Sequence, residues 1–162
     1  MKKIFTPILI ILSFIYSCDN NQSTVVNDIC PKQQSEFMHT FKDYSDKWEF
    51  EENAIKKDSI GNKWFEYVDK KTECRQWVFL IDKVDDVFGM EGAYQLKMKM
   101  PNDFNCDFTY GFLKDNIPLE RFNLIKQLNQ GDTILIDGKL KPNELGSIFK
   151  SCNVDIEKIK RK

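Results

Sequence analysis

The stretch Gly131–Leu140 (GDTILIDGKL) restricts this chain more than any other. A Gly-Asp turn feeds an apolar strand, and a second glycine, Gly138, interrupts it. A glycine inside a strand marks a bulge, a sharp bend or the close approach of another backbone. Around this stretch lie three strand-like runs upstream, a short helical pattern just before it, and one more strand after it. A small closed β-barrel accommodates that order.

The first run, Gln76–Val87 (QWVFLIDKVDDV), is long and apolar on both faces in its first half, as suits a strand shared by two halves of a barrel. Phe88–Gly92 is a glycine-bearing turn. Tyr94–Met100 alternates, with Tyr94, Leu96, Met98 and Met100 on one face and Gln95, Lys97 and Lys99 on the other. Pro101–Asp103 turns the chain, and Cys106–Leu113 alternates again, with Phe108, Tyr110 and Phe112 on the apolar face. Pro118 suits a first helical position, and Leu119, Phe122, Ile125 and Leu128 make one helical face that Gly131 ends. Thr133–Leu140 is the fourth strand, Lys141–Gly146 a turn, and Ser147–Ile156 the fifth strand.

Three strands, a helix and two strands is the order of the OB-fold, a five-stranded Greek-key barrel with a helix between strands 3 and 4. The expected class is mainly β with a helical N-terminal extension. Residues 75–156 resemble the bacterial OB-fold domains grouped as tRNA-anticodon-binding-like (tRNA_anti-like). The resemblance rests on Val84, the turn Leu128–Asp132, Ile134, Ile136, Gly138 and Leu140, then Ile148 and Cys152. It implies the barrel, and many members are small secreted or lipid-anchored proteins. It carries no ligand with it.

Ahead of the barrel, Phe37, Phe41, Tyr44 and Trp48 recur at helical spacing, which Glu52 and Ile55 could extend. Ser59 and Gly61 suggest a break over 58–62, followed by a short second helix carrying Trp64, Phe65 and Val68. The aromatic stripe reads as a face packed on the barrel, or else as a partner-binding helix.

The N-terminus reads as an address. Lys2 and Lys3 precede a mostly apolar run, Ile4–Tyr16, too short for a membrane-spanning helix of about 20 residues. Ile15-Tyr16-Ser17-Cys18 resembles the bacterial lipobox, although Tyr16 stands where that motif usually has a small or aliphatic residue. The expected division is a lipoprotein signal peptide over 1–17, a polar tether over 18–34, a helical extension over 35–72 and the barrel over 73–160. Cys18 would carry the lipid, and more than one acyl chain is needed for stable anchoring. Loss of Lys2 and Lys3 takes the formal net charge from −1 to −3. A mildly acidic domain lacks the electrostatic footprint of a nucleic-acid binder.

The expected location is the bacterial cell envelope, on its periplasmic or surface face. The expected role is a non-catalytic binding or structural module. The alternatives are an oligonucleotide- or other anionic-ligand-binding domain, and an envelope protein-interaction or inhibitor protein. His39 is the single histidine and has no companion ligand set; no phosphate loop, Ser-His-Asp set or CxxC pair is present. No metal, cofactor or catalytic residue is assigned. OB barrels bind across strands 2 and 3 and the 1–2 and 4–5 loops. Here that points to Phe88, Gln95, Lys97, Lys99 and Thr109, with the strand aromatics on the opposite, inward face. Beyond Cys18, four cysteines remain: Cys30, Cys74, Cys106 and Cys152. Alternation turns Cys106 and Cys152 toward the barrel interior on strands that meet where an OB barrel closes. They are candidates for a disulfide, leaving Cys30 and Cys74 to pin the extension; the alternative is separate buried thiols.

Overall fold

The computed structural model describes residues 30–102, 104–142 and 149–162. The leader, Cys18, most of the tether and most of the 4–5 loop lie outside them. No described helix is long and apolar enough to cross a membrane.

Two helices lead, α1 (Lys32–Phe50) and α2 (Ala54–Lys71). Lys32 to Gln34, read above as the end of the tether, form the first turn of α1. The break between the helices lies at 51–53 and not at 58–62. The Asn53 side chain accepts the backbone N–H groups of Ile55 (3.0 Å) and Lys56 (3.2 Å), so it caps α2. The helix then runs through Ser59 and Gly61. Gly61 is buried on the same face as Trp64 and Val68.

Five strands follow: β1 (Glu73–Asp86), β2 (Ala93–Lys99), β3 (Asp107–Leu113), β4 (Thr133–Pro142) and β5 (Ser151–Arg161). They close in the order β1-β2-β3-β5-β4. A 3-10 turn (Lys114–Asn116) and helix α3 (Leu119–Lys126) connect β3 to β4. This is the OB topology, and β1 serves both halves: it pairs with β4 from Glu73 to Leu80 and with β2 from Leu80 to Asp86. Strand β5 begins later and ends later than the alternation suggests. Its ladder with β4 shifts beside Glu157, which puts Glu157 and Lys158 outward in succession. That breaks the period of two and hides the continuation to Arg161.

Trp77, Phe79, Leu96, Met98, Phe108, Ile134 and Ile136 are fully buried in the core. Helix α3 closes one end of the barrel. Phe122 packs edge-on to Tyr94 at 5.5 Å, and Ile125 is buried. Pro118 precedes α3 rather than opening it, Leu128 lies past its end but is buried, and Leu119 points to solvent with 69% of its surface exposed. The other end is closed by the helical extension. Phe37 of α1 lies 5.3 Å from Trp77 and 6.4 Å from Phe108. Phe41 meets Phe104 at 4.7 Å and Trp64 at 5.3 Å. The aromatic stripe is therefore a core face.

The seam between β3 and β5 is parallel and short: Asp107↔Ser151, Phe108↔Cys152 and Thr109↔Asn153. Past it, Arg121 reaches from α3 and donates to the Ile156 carbonyl (2.8 Å) and to the Glu157 carbonyl. A charged donor thus satisfies carbonyls that no neighbouring strand covers.

Candidate binding surface

Gln95, Lys97, Lys99 and Thr109 share the outer face of β2 and β3, with Lys97 directly opposite Thr109 and Lys99 opposite Asp107. The facing edge of β1 supplies carboxylates. Lys97 Nζ lies 3.8 Å from Asp85, Lys99 Nζ lies 3.7 Å from Asp82, and Lys83 Nζ lies 2.8 Å from Asp85. Hydrogen bonding to Asp85 holds the Lys83 ammonium above its ordinary pKa. The β1–β2 register makes Asp82 and Asp85 counter-ions of the lysines. An oligonucleotide would have to displace those carboxylates, and it would find no stacking ring there, because Phe108, Tyr110 and Phe112 are buried. Labelled single-stranded oligonucleotides at moderate salt are therefore expected to show flat fluorescence anisotropy up to about 10 µM protein. Sub-micromolar binding that weakens steeply with salt would contradict this.

Phe88 lies apart, at the tip of the 1–2 loop. The loop is a double turn: Met90 N–H bonds Val87 O at 3.1 Å, and Ala93 N–H bonds Met90 O at 3.2 Å. Gly89 (φ +80°) and Gly92 (φ +73°) adopt the left-handed backbone these turns need. The result thrusts Phe88 fully into solvent (103%), with Met90 beside it at 58%. A shallow groove of about 460 Å³ runs below, lined by Val87, Met90, Tyr94, Phe112, Leu113 and Ile117. Burying a side chain of this size is worth about 1.5–3 kcal/mol, so two of them held exposed on a rigid turn are a marked feature.

A second cleft, of about 670 Å³, lies between α1 and the loops before β3 and β5. Its lining includes Met38, Phe41, Trp48, Phe104 and Phe149, and His39 is on its rim. Among the described residues no three potential metal ligands come together.

All four described cysteines are buried thiols. Cys106 and Cys152 touch through their side chains, and that hydrogen bond, followed by burial, drives the Cys106 thiol far above its ordinary pKa. Cys74 sits in the same cluster, within electrostatic reach of Cys152. Cys30 is elsewhere: it is within electrostatic reach of Lys162, just past the end of β5. The fold thus gathers Cys74, Cys106 and Cys152 and does not bring Cys30 to Cys74. The 4–5 loop falls mostly outside the described residues.

No family model matches the chain, and no curated protein matches it. Among solved structures it is similar to OBody AM3L09 bound to hen egg-white lysozyme, at 11% identity, covering 52% of this chain and 76% of that one with a TM-score of 0.42. It is also similar to OBody NL8 bound to hen egg-white lysozyme, at 12% identity, covering 52% and 89% with a TM-score of 0.42.

Proposed function

We propose that this chain is a lipid-anchored, non-catalytic binding module of the bacterial cell envelope whose partner is a protein. The observation that carries the reading is the 1–2 loop, one of the two loops with which OB barrels engage ligands. It presents Phe88 and Met90 on a glycine-braced turn. The address comes from the sequence, where Ile15-Tyr16-Ser17-Cys18 follows a basic start and a short apolar run. The neighbouring β2–β3 face, with its lysines matched by Asp82 and Asp85, speaks against an anionic ligand. The nucleic-acid name of the tRNA_anti-like group is accordingly taken as a likeness of fold.

The test is crosslinking in intact cells fed a fatty-acid analogue, comparing the native chain with Phe88→Asp and Cys18→Ala. The native chain is expected to carry label and to give one discrete crosslinked product. Phe88→Asp should keep the label and lose the product, and Cys18→Ala should lose the label. Label retained in Cys18→Ala, or an unchanged product in Phe88→Asp, would defeat the corresponding half of the reading.

Export has a chemical consequence for the thiol cluster. Disulfides persist outside the cytoplasm, and Cys106 and Cys152 are already in contact. Exchange with an external disulfide would couple them, with both electrons passing to the partner, which leaves as two thiols. The bridge would staple the short β3–β5 seam and close about 46 residues, for which the chain-entropy model gives roughly 4 kcal/mol. A non-reduced peptide map of protein recovered from the envelope is expected to link Cys106 to Cys152. Alkylation of both as free thiols would refute it.

A further inference from the structure

The chain is acidic, but its charge is unevenly placed. Glu157–Lys162 holds Lys158, Lys160, Arg161 and Lys162 against one acid, a net +3. The mature chain totals −3, so its remainder carries −6. Arg161 is committed to Asp132 at 2.8 Å. Lys158, Lys160 and Lys162 are exposed, and among the described residues none is in a close ion pair; Asp137, opposite Lys158 on β4, is the one acid that feels the charge of both Lys158 and Lys160, and it is itself hydrogen-bonded to Gln76.

These lysines lie where the tether meets the domain. Strand register places Lys160 opposite Leu135 and Leu135 opposite Val78, and the N–H of Lys162 bonds Thr133 O at 2.9 Å. The first turn of α1 is tied to Val78 by Gln34, and Cys30, just before that turn, is within electrostatic reach of Lys162. Eleven residues, 19–29, separate Cys30 from Cys18. At no more than about 3.5 Å per residue they cannot carry the domain much farther than ~40 Å from the lipid. Leu119, 69% exposed, lines the shallow groove beside Lys158 and Lys160, so an apolar side chain accompanies the charges.

We propose that the outer β4–β5 face carrying Lys158, Lys160 and Lys162 rests on the anionic headgroups of the bilayer that holds the Cys18 anchor. Basic residues next to an anchored segment are drawn to anionic lipid within a Debye length of the surface. The contact orients the barrel. Strands β4 and β5 face the membrane, and β2, across the closed barrel, faces away. This inference rests on the lipid-anchor reading above.

The experiment is amine-labelling footprinting of the full, purified lipoprotein on vesicles. One set is phosphatidylcholine alone and the other is phosphatidylcholine with phosphatidylglycerol at about 3:1. On the anionic vesicles Lys158, Lys160 and Lys162 should label about threefold or more slowly than on neutral ones, and about 0.5 M salt should abolish the difference. Lys63 and Lys97 should be unchanged. Equal rates on both vesicle types overturn the proposal, as does protection of Lys97 instead. Protection on neutral vesicles alike points to a second copy or a protein contact and also overturns it. The intact mass separates the two readings. An unacylated chain defeats both, whereas an acylated chain with uniform labelling defeats only the orientation.

Discussion

Gly138→Ala is expected to destabilise the barrel by about 3 kcal/mol or more, lowering the melting temperature by roughly 10 °C. A Cβ at this position would stand 2.1 Å from the carbonyl oxygen of Asp155, 3.1 Å from its carbon and 3.2 Å from the Cα of Ile156. All three are backbone atoms of the strand paired beside it, so no side chain can swing away. Both ladders of β4 are irregular here. The β5 register shifts between Asp137 and Gly138, and the β1 register shifts between Cys74 and Trp77. The strained partner on β1 is Gln76, whose φ of +56° is held by its own N–H bonding Asp137 at 2.7 Å. Gly111→Ala is the control. It also lies in a strand, but its Cβ would meet nothing within 4 Å. It is expected to be neutral or stabilising by about 0.5 kcal/mol, through the unfolded state alone. Thermal unfolding of the two variants side by side checks both. Equal losses would show that Gly138 is not the close-approach point.

Gln34→Leu is the second large effect, expected at about 2–5 kcal/mol. Gln34 is fully buried. Its amide donates to Val78 O at 2.7 Å and accepts from Val78 N–H at 2.8 Å. Val78 lies on β1 before the β2 ladder begins at Leu80, so this backbone edge has no strand beside it. The side chain stands in for the missing strand, and removing it leaves a buried donor and a buried acceptor without partners. Gln34→Glu separates hydrogen bonding from shape. Ionised, it can accept from Val78 but cannot donate, and it buries a charge. Protonated, it can do both. Burial raises a carboxyl pKa, so the loss should be full at neutral pH and should shrink as pH falls through that raised value. Urea unfolding across pH measures it. A Gln34→Glu loss that does not vary with pH would show that the amide pairing is not what joins α1 to the barrel.

Much of the architecture could be read from residue order. Period-two alternation found β2, β3 and β4, and the intervening helix placed them in an OB barrel, because alternation and helical spacing are local properties of the chain. The same locality explains the failures. Ser59 and Gly61 looked like a break because their low helix preference is local, while the packing of Trp64 and Val68 that overrides it is not. Strand β5 was cut short because the register shift at Glu157 is visible only beside its partner. The candidate face was found, since alternation sorts Gln95, Lys97, Lys99 and Thr109 from the buried aromatics. Its charge balance was not, because the aspartates that offset Lys97 and Lys99 belong to β1 and arrive through pairing. Gly111 and Gly138 read alike in sequence as glycines within strands. Only the folded barrel, which presses the Asp155 carbonyl against one and leaves the other open, makes one indispensable. Gln34 carried no signal at all, since a lone glutamine announces nothing until a strand edge, 44 residues on, comes to lie within its reach.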